Sequence, residues 1–449
     1  MIAPARVAAY QSLRAVSSGA ADLPHALARA RAGLRDERDR ALAGEIVTGA
    51  LRWQAAFDHI VTQFAKRPLG KLDPEILDIL RLSVFQLLYL DRVPASAAVN
   101  DAVSLARHAG KKSAAPLVNA LLRRVSRERN RLPLPPRPAS MDDRAAAIDY
   151  LATTLSHPRW LAERWLNRYG FESAERWMQF NNRPAALTLR VNTLKTTAGA
   201  LTASLAEYGV EVTSGRFSSA ALIVRAGNPL LTPLADDGSF FVQDEASQLV
   251  ASAVGARSGD RVLDACASPG GKTIAIAAAM GDTGLIVATD VRGKRVDLLA
   301  KTIASSGARS VKVVQADAGH ALPLPPQFDW VLLDAPCSGL GTIRRDPDIR
   351  WRRSEADLAG LAAAQLRMLT ETARVLRPGG RLVYSTCSSE PDENEDVVRR
   401  FLNDSGFTPA PINTMSSTAQ RLLNPAGELR TLPFRDNLEA FFAALLVKP

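Results

Sequence analysis

Beyond residue 240 the chain alternates regularly between short strand-like apolar runs and longer stretches with helical apolar spacing. This rhythm restricts the possible folds more than any other feature of the sequence. The strand-like runs are "RVLDACA", "LIVATDV", "VKVVQADA", "FDWVLLDAP" and "RLVYSTC"; "GKTIAIAAAMG", "KRVDLLAKTIASSG", "DLAGLAAAQLRMLTETARVL" and "NEDVVRRFLNDSG" read as helices. Such alternation predicts a doubly wound parallel sheet. Its active crevice lies beyond the carboxyl ends of the strands, and the residues with chemical potential collect there.

The front of the chain reads differently. "ARVAAYQSLRAV", "ERDRALAGEIVTGALRWQAAFDHIV", "DPEILDILRLSVFQLLYL" and "SAAVNDAVSLARHAG" carry apolar residues at helical spacing, which predicts an all-α bundle. "NRLPLPPRPAS", residues 130–140, has the composition of an extended linker. Domains are therefore expected at 1–140, 141–238 and 239–449. The middle one reads as a small α+β unit, with a Trp-rich helix "RWLAERWLNRYG" and strand-like "ALTLRVN", "VEVTSG" and "ALIVRAG". Charge follows the same division. Residues 1–140 hold 22 Lys+Arg against 12 Asp+Glu, and the remainder holds 34 of each, so the whole net charge of +10 lies in front. A basic module joined to a neutral one suggests a polyanion held by the first and worked on by the second.

Four carboxylates end or nearly end successive strands: Asp264, Asp290, Asp317 and Asp334. An acid closing the second strand is placed to accept hydrogen bonds from ribose hydroxyls, and Asp290 lies about 20 residues past a glycine turn, as that geometry requires. The turn is "LDACASPGGKT", residues 263–273, where Gly270 and Gly271 let the backbone approach a ligand. A phosphate-binding P-loop would need glycine at 266; the chain has Cys266.

Two further thiols sit at strand ends. Cys337 follows Asp334 in "DAPCSGLGTIRRDPDIRW", and Cys387 ends the next strand in "STCSSEPDENED". Each alone reads as a small buried hydrophobe, but two at neighbouring strand ends beside carboxylates read as poised nucleophiles. Spacing alone leaves them interchangeable. Arg344, Arg345, Arg350, Arg352 and Arg353 with Trp351 look like a surface for phosphate and base stacking. The acidic run from Asp392 to Asp396 reads as the first turn of a helix, with Pro391 at its start and no catalytic duty. The five histidines show no metal-ligand spacing, and three cysteines without C-x-x-C spacing argue against a disulfide framework or structural zinc. No apolar run has signal-peptide or membrane-spanning character, so a cytoplasmic protein without a membrane partner is expected.

Together "DACASPGGKT", "ATD", "QADA", "DAPCSGLGTIRRDPDIRW" and "STCSSEPDENE" closely resemble the RNA cytosine-5 methyltransferases. The front resembles the NusB-like module of the bacterial Sun/Fmu (RsmB) subfamily, and "SHPRWLAERW" and "RPAALTLRVNTLK" resemble that subfamily's middle region. The resemblance implies a Rossmann-like methyltransferase domain, S-adenosylmethionine as cofactor, and 16S ribosomal RNA as partner, methylated at cytosine 967 in the usual rRNA numbering. It implies that Cys266, Ala267, Ser268, Pro269, Gly270, Gly271 and Lys272 hold the methionine end of the donor. Asp290 would hold the ribose and Asp317 the adenine; Arg295 is a further cofactor residue, and Asp334 lies between cofactor and target base. It makes Cys387 the nucleophile and Cys337 the aid to product release. No metal is implied, and a monomer is expected. Ser268 stands where the family often has alanine, and Leu438 and Glu439 replace part of a usual D-G-F-F. Two other readings accompany this one: an antitermination regulator that retains a decayed methyltransferase fold, and a methyltransferase for another rRNA or tRNA cytosine.

Overall fold

The computed structural model describes residues 2–140 and 143–449. The chain forms two compact units, Met1–Pro184 with Ile343–Glu355, and Ala185–Thr342 with Ala356–Pro449.

The first unit is helical among the described residues. Helices Pro4–Ser17, Leu23–Ala32, Glu37–Arg52, Gln54–Ala65, Pro74–Tyr89, Ala95–His108 and Ala115–Arg127 surround a core that includes Leu13, Ile46, Phe57, Ile79 and Val118. Local chemistry sets their starts. Pro4 and Pro74 open two helices, while the Asp22 and Asp36 carboxylates accept the backbone N–H groups of His25 and Arg38. The long helix expected across residues 37–61 breaks at Trp53, which leaves helical geometry at φ −108° and ψ 19°. The Pro-rich stretch is extended but not loose. Leu132 and Leu134 pack on the helical core, and Arg137 makes a two-pronged bond to Glu175 at 2.9 and 3.0 Å. The expected boundary at 140 abuts residues 141 and 142, which lie outside the described residues. Helices Arg144–Asp149, Arg159–Tyr169 and Phe171–Asn181 follow within the same unit, with Trp165 stacked on Trp177 at 4.3 Å.

The inserted segment 343–355 corrects one expectation. Arg350 is fully buried and donates to the carbonyls of Arg52 and Ser156 and to the Asn182 side chain. Trp351 donates its indole N–H to the Leu51 carbonyl at 2.7 Å, and Arg344 lies 4.3 Å over the Phe180 ring. Arg352 pairs with Asp348 at 3.0 Å. Arg350 and Trp351 are thus tertiary anchors rather than a stacking surface for RNA. Their composition is the same in either case; only their partners, some 200 to 300 residues earlier in sequence, decide the outcome.

The second unit holds two sheets among the described residues. Strands β1 (Thr188–Val191), β2 (Glu211–Ser214), β3 (Ala221–Ala226) and β4 (Phe240–Val242) form an antiparallel sheet in the order β2-β3-β1-β4, accompanied by helix Ala198–Glu207. The larger sheet contains β5 (Arg261–Ala265), β6 (Leu285–Asp290), β7 (Val311–Gln315), β8 (Phe328–Asp334), β9 (Leu376–Thr386), β10 (Thr408–Ala410), β11 (Leu429–Arg430) and β12 (Phe442–Val447). Its order is β10-β12-β9-β8-β5-β6-β7, with β11 paired to β12. Strands β5 to β9 are parallel and β12 runs antiparallel beside β9. Strand order reverses between β5 and β8, so a crevice opens beyond their carboxyl ends. All five expected strands of this domain and the four helices read from sequence are present.

Candidate active site

The turn after β5 begins with Cys266, which occupies the left-handed region at φ 74°. That conformation is uncommon for a side-chain-bearing residue. The Ala267 N–H donates to the Thr289 carbonyl at 2.7 Å, which fixes the chain as it leaves the sheet. Gly270 follows at φ 108°, where an added Cβ would fall 2.9 Å from Leu299, and helix Gly271–Ala279 starts at once. The turn therefore needs glycine for both conformation and space. The Ser268 hydroxyl donates to the Arg295 carbonyl, so the oxygen that distinguishes it from alanine has a partner.

Residues 266–269, Gly271 and Lys272 line a cavity of about 260 Å³ together with Gln243, Asp264 and Asp334. Asp264 is buried, accepts from Thr273 at 2.6 Å through one oxygen, and leaves the other without a hydrogen bond; the Gln243 amide oxygen is likewise orphaned. Two unsatisfied buried acceptors beside a helix start suit a ligand that carries both an ammonium and a carboxylate. The amino-acid end of S-adenosylmethionine has both, so the residues fit that group. Burial, with a smaller contribution from Asp334, pushes the Asp264 carboxyl up to about 7.

This has a checkable consequence. Between about pH 4 and 7 the folded chain keeps a proton on Asp264 that the unfolded chain has released, so this group lowers stability as pH rises and lowers it fully above 7. Asp264→Asn is expected to raise the melting temperature at pH 8 by roughly 2–4 °C without raising it at pH 4. Donor affinity should fall at least about tenfold, the loss expected when a charge-assisted hydrogen bond is removed. Thermal scans at the two pH values and calorimetric titration with the donor measure both.

Asp290 is buried at the end of β6 and pairs with Arg295 at 3.1 Å; Arg295 also donates to the Ser268 carbonyl at 2.7 Å. These two residues therefore adjoin the glycine turn. Asp317 is engaged locally, accepting from the Gly319 N–H at 2.8 Å and lying 3.0 Å from the His320 ring. Lys272 points from its helix to Asp334, with 2.7 Å between Nζ and the carboxylate, while the Ser385 hydroxyl donates to the other oxygen at 2.8 Å. Desolvation alone would lower the Lys272 ammonium, yet the nearby Asp334 raises it. The lysine stays charged.

The three thiols differ. Burial and the carboxylates of Asp290, Asp334 and Asp264 push Cys266 up to about 12, which keeps it an unreactive thiol. Strands β8 and β9 are neighbours with Asp334 opposite Ser385, and their continuations bring Cys337 and Cys387 together with sulfurs 3.2 Å apart. Cys337 is driven well above the usual thiol range, first by its hydrogen bond to Cys387 and then by burial. Either sulfur of the pair can donate to the other. Gly341 presses its backbone on the same loop: its N–H donates to the Cys387 carbonyl at 2.9 Å, and an added Cβ would sit 2.7 Å from that oxygen.

Gln243 of the cavity and one residue behind the thiols escaped the sequence reading. Glu393, in the acidic run read as a helix's first turn, is fully buried. The helix begins two residues later, at Glu395. The Glu393 carboxylate accepts from the Ser338 N–H at 2.8 Å, the Gln365 amide at 2.9 Å and the Ser388 hydroxyl at 2.5 Å. Ser338 and Ser388 are the residues immediately after the two thiols. Asn394 adds a bond to the Ser388 carbonyl at 3.0 Å and accepts from Thr386. The repeated "CS" in the two loops was the available signal.

Comparison with known proteins gives three family matches: 16S rRNA methyltransferase RsmB/F over residues 251–447, the NusB family over 3–127, and an RsmF/B-like methyltransferase ferredoxin-like domain over 157–230. A probable ribosomal RNA small subunit methyltransferase B of Bacillus subtilis is 37% identical over 370 residues, covering 82% of this chain and 81% of that protein. The ribosomal RNA small subunit methyltransferase B of Pseudomonas putida is 34% identical over 446 residues, covering 99% and 98%. Among solved structures, PH0851 aligns with a TM-score of 0.82 at 27% identity over 100% of this chain and 99% of its own. A methyltransferase homolog protein from Pyrococcus horikoshii aligns at 0.58 and 28% identity, over 68% and 99%.

Proposed function

The chain belongs to the 16S rRNA methyltransferase RsmB/F family, and from that premise we propose that it methylates C5 of one cytosine in small-subunit ribosomal RNA, cytosine 967, through a covalent bond from Cys387 to C6. S-adenosylmethionine is the cofactor and supplies an electrophilic methyl group when bound. The residues that would hold it are Asp264, the turn from Cys266 to Gly271, Asp290 with Arg295, and Asp317. The observation that carries the proposal is the pair of sulfurs 3.2 Å apart beside the Lys272–Asp334 ion pair.

C5 of cytosine is a poor nucleophile until a thiolate adds to C6 and turns the ring into an enamine. In this reading, which follows the family resemblance, Cys387 is the sulfur that adds, and the proton its thiol gives up is matched by the one the ring gains. Asp334, fixed by Lys272 and Ser385, is placed to stabilise the proton that the ring gains at N3. Once Cys387 is bonded to carbon, the sulfur–sulfur hydrogen bond with Cys337 is lost. The largest cause of the raised Cys337 value is then gone, so Cys337 can release its own proton to solvent, and the resulting thiolate takes the C5 proton. Elimination frees Cys387; overall a methyl group enters and a proton leaves.

The target base must also leave its stack, which costs a few kcal/mol. Exposed Arg107, Lys112, Arg123, Arg127 and Arg129 in the first unit can offset this through phosphate contacts. Purified protein with methyl-labelled donor and unmodified small-subunit rRNA is expected to place label in 5-methylcytosine at one position. Label at another base, or none at cytosine, would overturn the proposal. Binding of boxA-like RNA without donor affinity would support an antitermination regulator instead.

A further inference from the structure

The second unit contains a cleft of about 730 Å³ that the proposed reaction does not use. Arg190 of β1, Arg257 just before β5 and Arg381 of β9 line it with Thr193, Ser219 and Asn413; no carboxylate does. Arg381 lies six residues before Cys387, about 20 Å at 3.3 Å per residue, so the cleft is toward the other end of the sheet from the thiols.

Arg190 is the unusual member. It is 2% exposed, and its Nε and Nη2 have no hydrogen-bond partner. The Phe241 ring lies 5.5 Å from its guanidinium carbon. Arg257 and Arg381 are exposed, and among the described residues neither has an acidic side-chain partner. A buried guanidinium without a counter-charge costs several kcal/mol, and its planar donor fork matches a tetrahedral oxyanion.

We propose that this cleft binds a phosphate oxyanion, with the Arg190 guanidinium as its buried anchor, Arg257 and Arg381 as outer cations and the Ser219 and Thr193 hydroxyls as neutral donors. Burial brings Arg190 down to about 10, so it remains charged at neutral pH. The phosphate can belong to the RNA backbone or to a free phosphate compound. The RNA source rests on the ribosomal RNA reading above, whereas the phosphate site itself does not.

The test uses the full chain at constant ionic strength. Millimolar inorganic phosphate is expected to raise the wild-type melting temperature by roughly 2 °C or more. Arg190→Met, which retains bulk without charge, should melt no lower than wild type in phosphate-free buffer and show no phosphate-dependent rise. Should Arg190→Met fail to fold, the surface double variant Arg257→Ser/Arg381→Ser serves, with at least half of the rise expected to disappear. The salt dependence of rRNA binding by that double variant identifies the source. A slope reduced by about 1 to 2 means that RNA phosphates occupy the cleft; an unchanged slope with a lost phosphate response means a free phosphate compound. No phosphate-dependent rise in wild type, or an undiminished rise in the variants, overturns the site.

Discussion

Replacing Cys387 with alanine is expected to abolish methyl transfer, a loss on the order of 10⁴-fold or more, while donor affinity should stay within about twofold. The separation follows from the site's layout. The cavity beside the glycine turn is lined by Gln243, Asp264, residues 266–269, Gly271 and Lys272, and neither Cys337 nor Cys387 lines it. Cys337→Ala should behave in the opposite manner. Cys387 can still add to the ring, but the group that takes the C5 proton is missing, so elimination stalls and the protein remains bonded to RNA. A denaturing gel with labelled RNA is expected to show a shifted band for Cys337→Ala and none for Cys387→Ala. A stable band with Cys387→Ala would exchange the two roles. The prediction does not depend on the ribosomal position of the target, because any cytosine attacked at C6 meets the same two sulfurs.

The parts of this site visible in sequence are those whose chemistry is local. Asp264, Asp290, Asp334 and the two thiols stand at strand ends, and strand ends can be read from apolar runs and the turns that close them. The glycine turn is equally local, since Gly270 needs its φ of 108° whatever surrounds it. What sequence does not carry is the choice between burial and exposure for charged residues. Arg350 and Glu393 look like surface residues, yet both are completely buried because carbonyls and donors from distant segments meet them. Helices Leu23–Ala32 and Ala115–Arg127 were also missed. Each has charged residues on its exposed side and, at 10 and 13 residues, is short enough that packing rather than local propensity decides its form. For the same reason removal of residues 1–140 would not be a clean test of RNA binding. It would strip the Arg52 and Leu51 carbonyls from Arg350 and Trp351, which lie in the chain segment between Cys337 and Cys387.

Glu393 offers the second large effect. Its carboxylate gathers donors from the residue after each thiol, so it sets the angle at which the two loops approach each other. Glu393→Ala leaves the Ser338 N–H without its acceptor and removes one acceptor each from the Gln365 amide, which keeps the Pro336 carbonyl at 3.0 Å, and from the Ser388 hydroxyl, which keeps the Ser338 hydroxyl at 3.2 Å. A buried donor left unsatisfied costs about 1–3 kcal/mol. The expected result is a clear fall in melting temperature and a loss in kcat of roughly 10²-fold, the scale for a misplacement of about 1 Å. Donor affinity should be unchanged, because Asp264 and Gln243 lie outside the network. Glu393→Gln is the sharper probe. Its amide oxygen can still accept from Ser338 and Gln365, but the amide nitrogen replaces the oxygen facing Ser388, whose hydroxyl must then accept instead of donate. Folding should be largely recovered and kcat only partly, with KM for the donor as in wild type. If kcat per folded molecule of Glu393→Ala stays within threefold of wild type, the carboxylate supports the fold alone and the thiols are aligned by their strands.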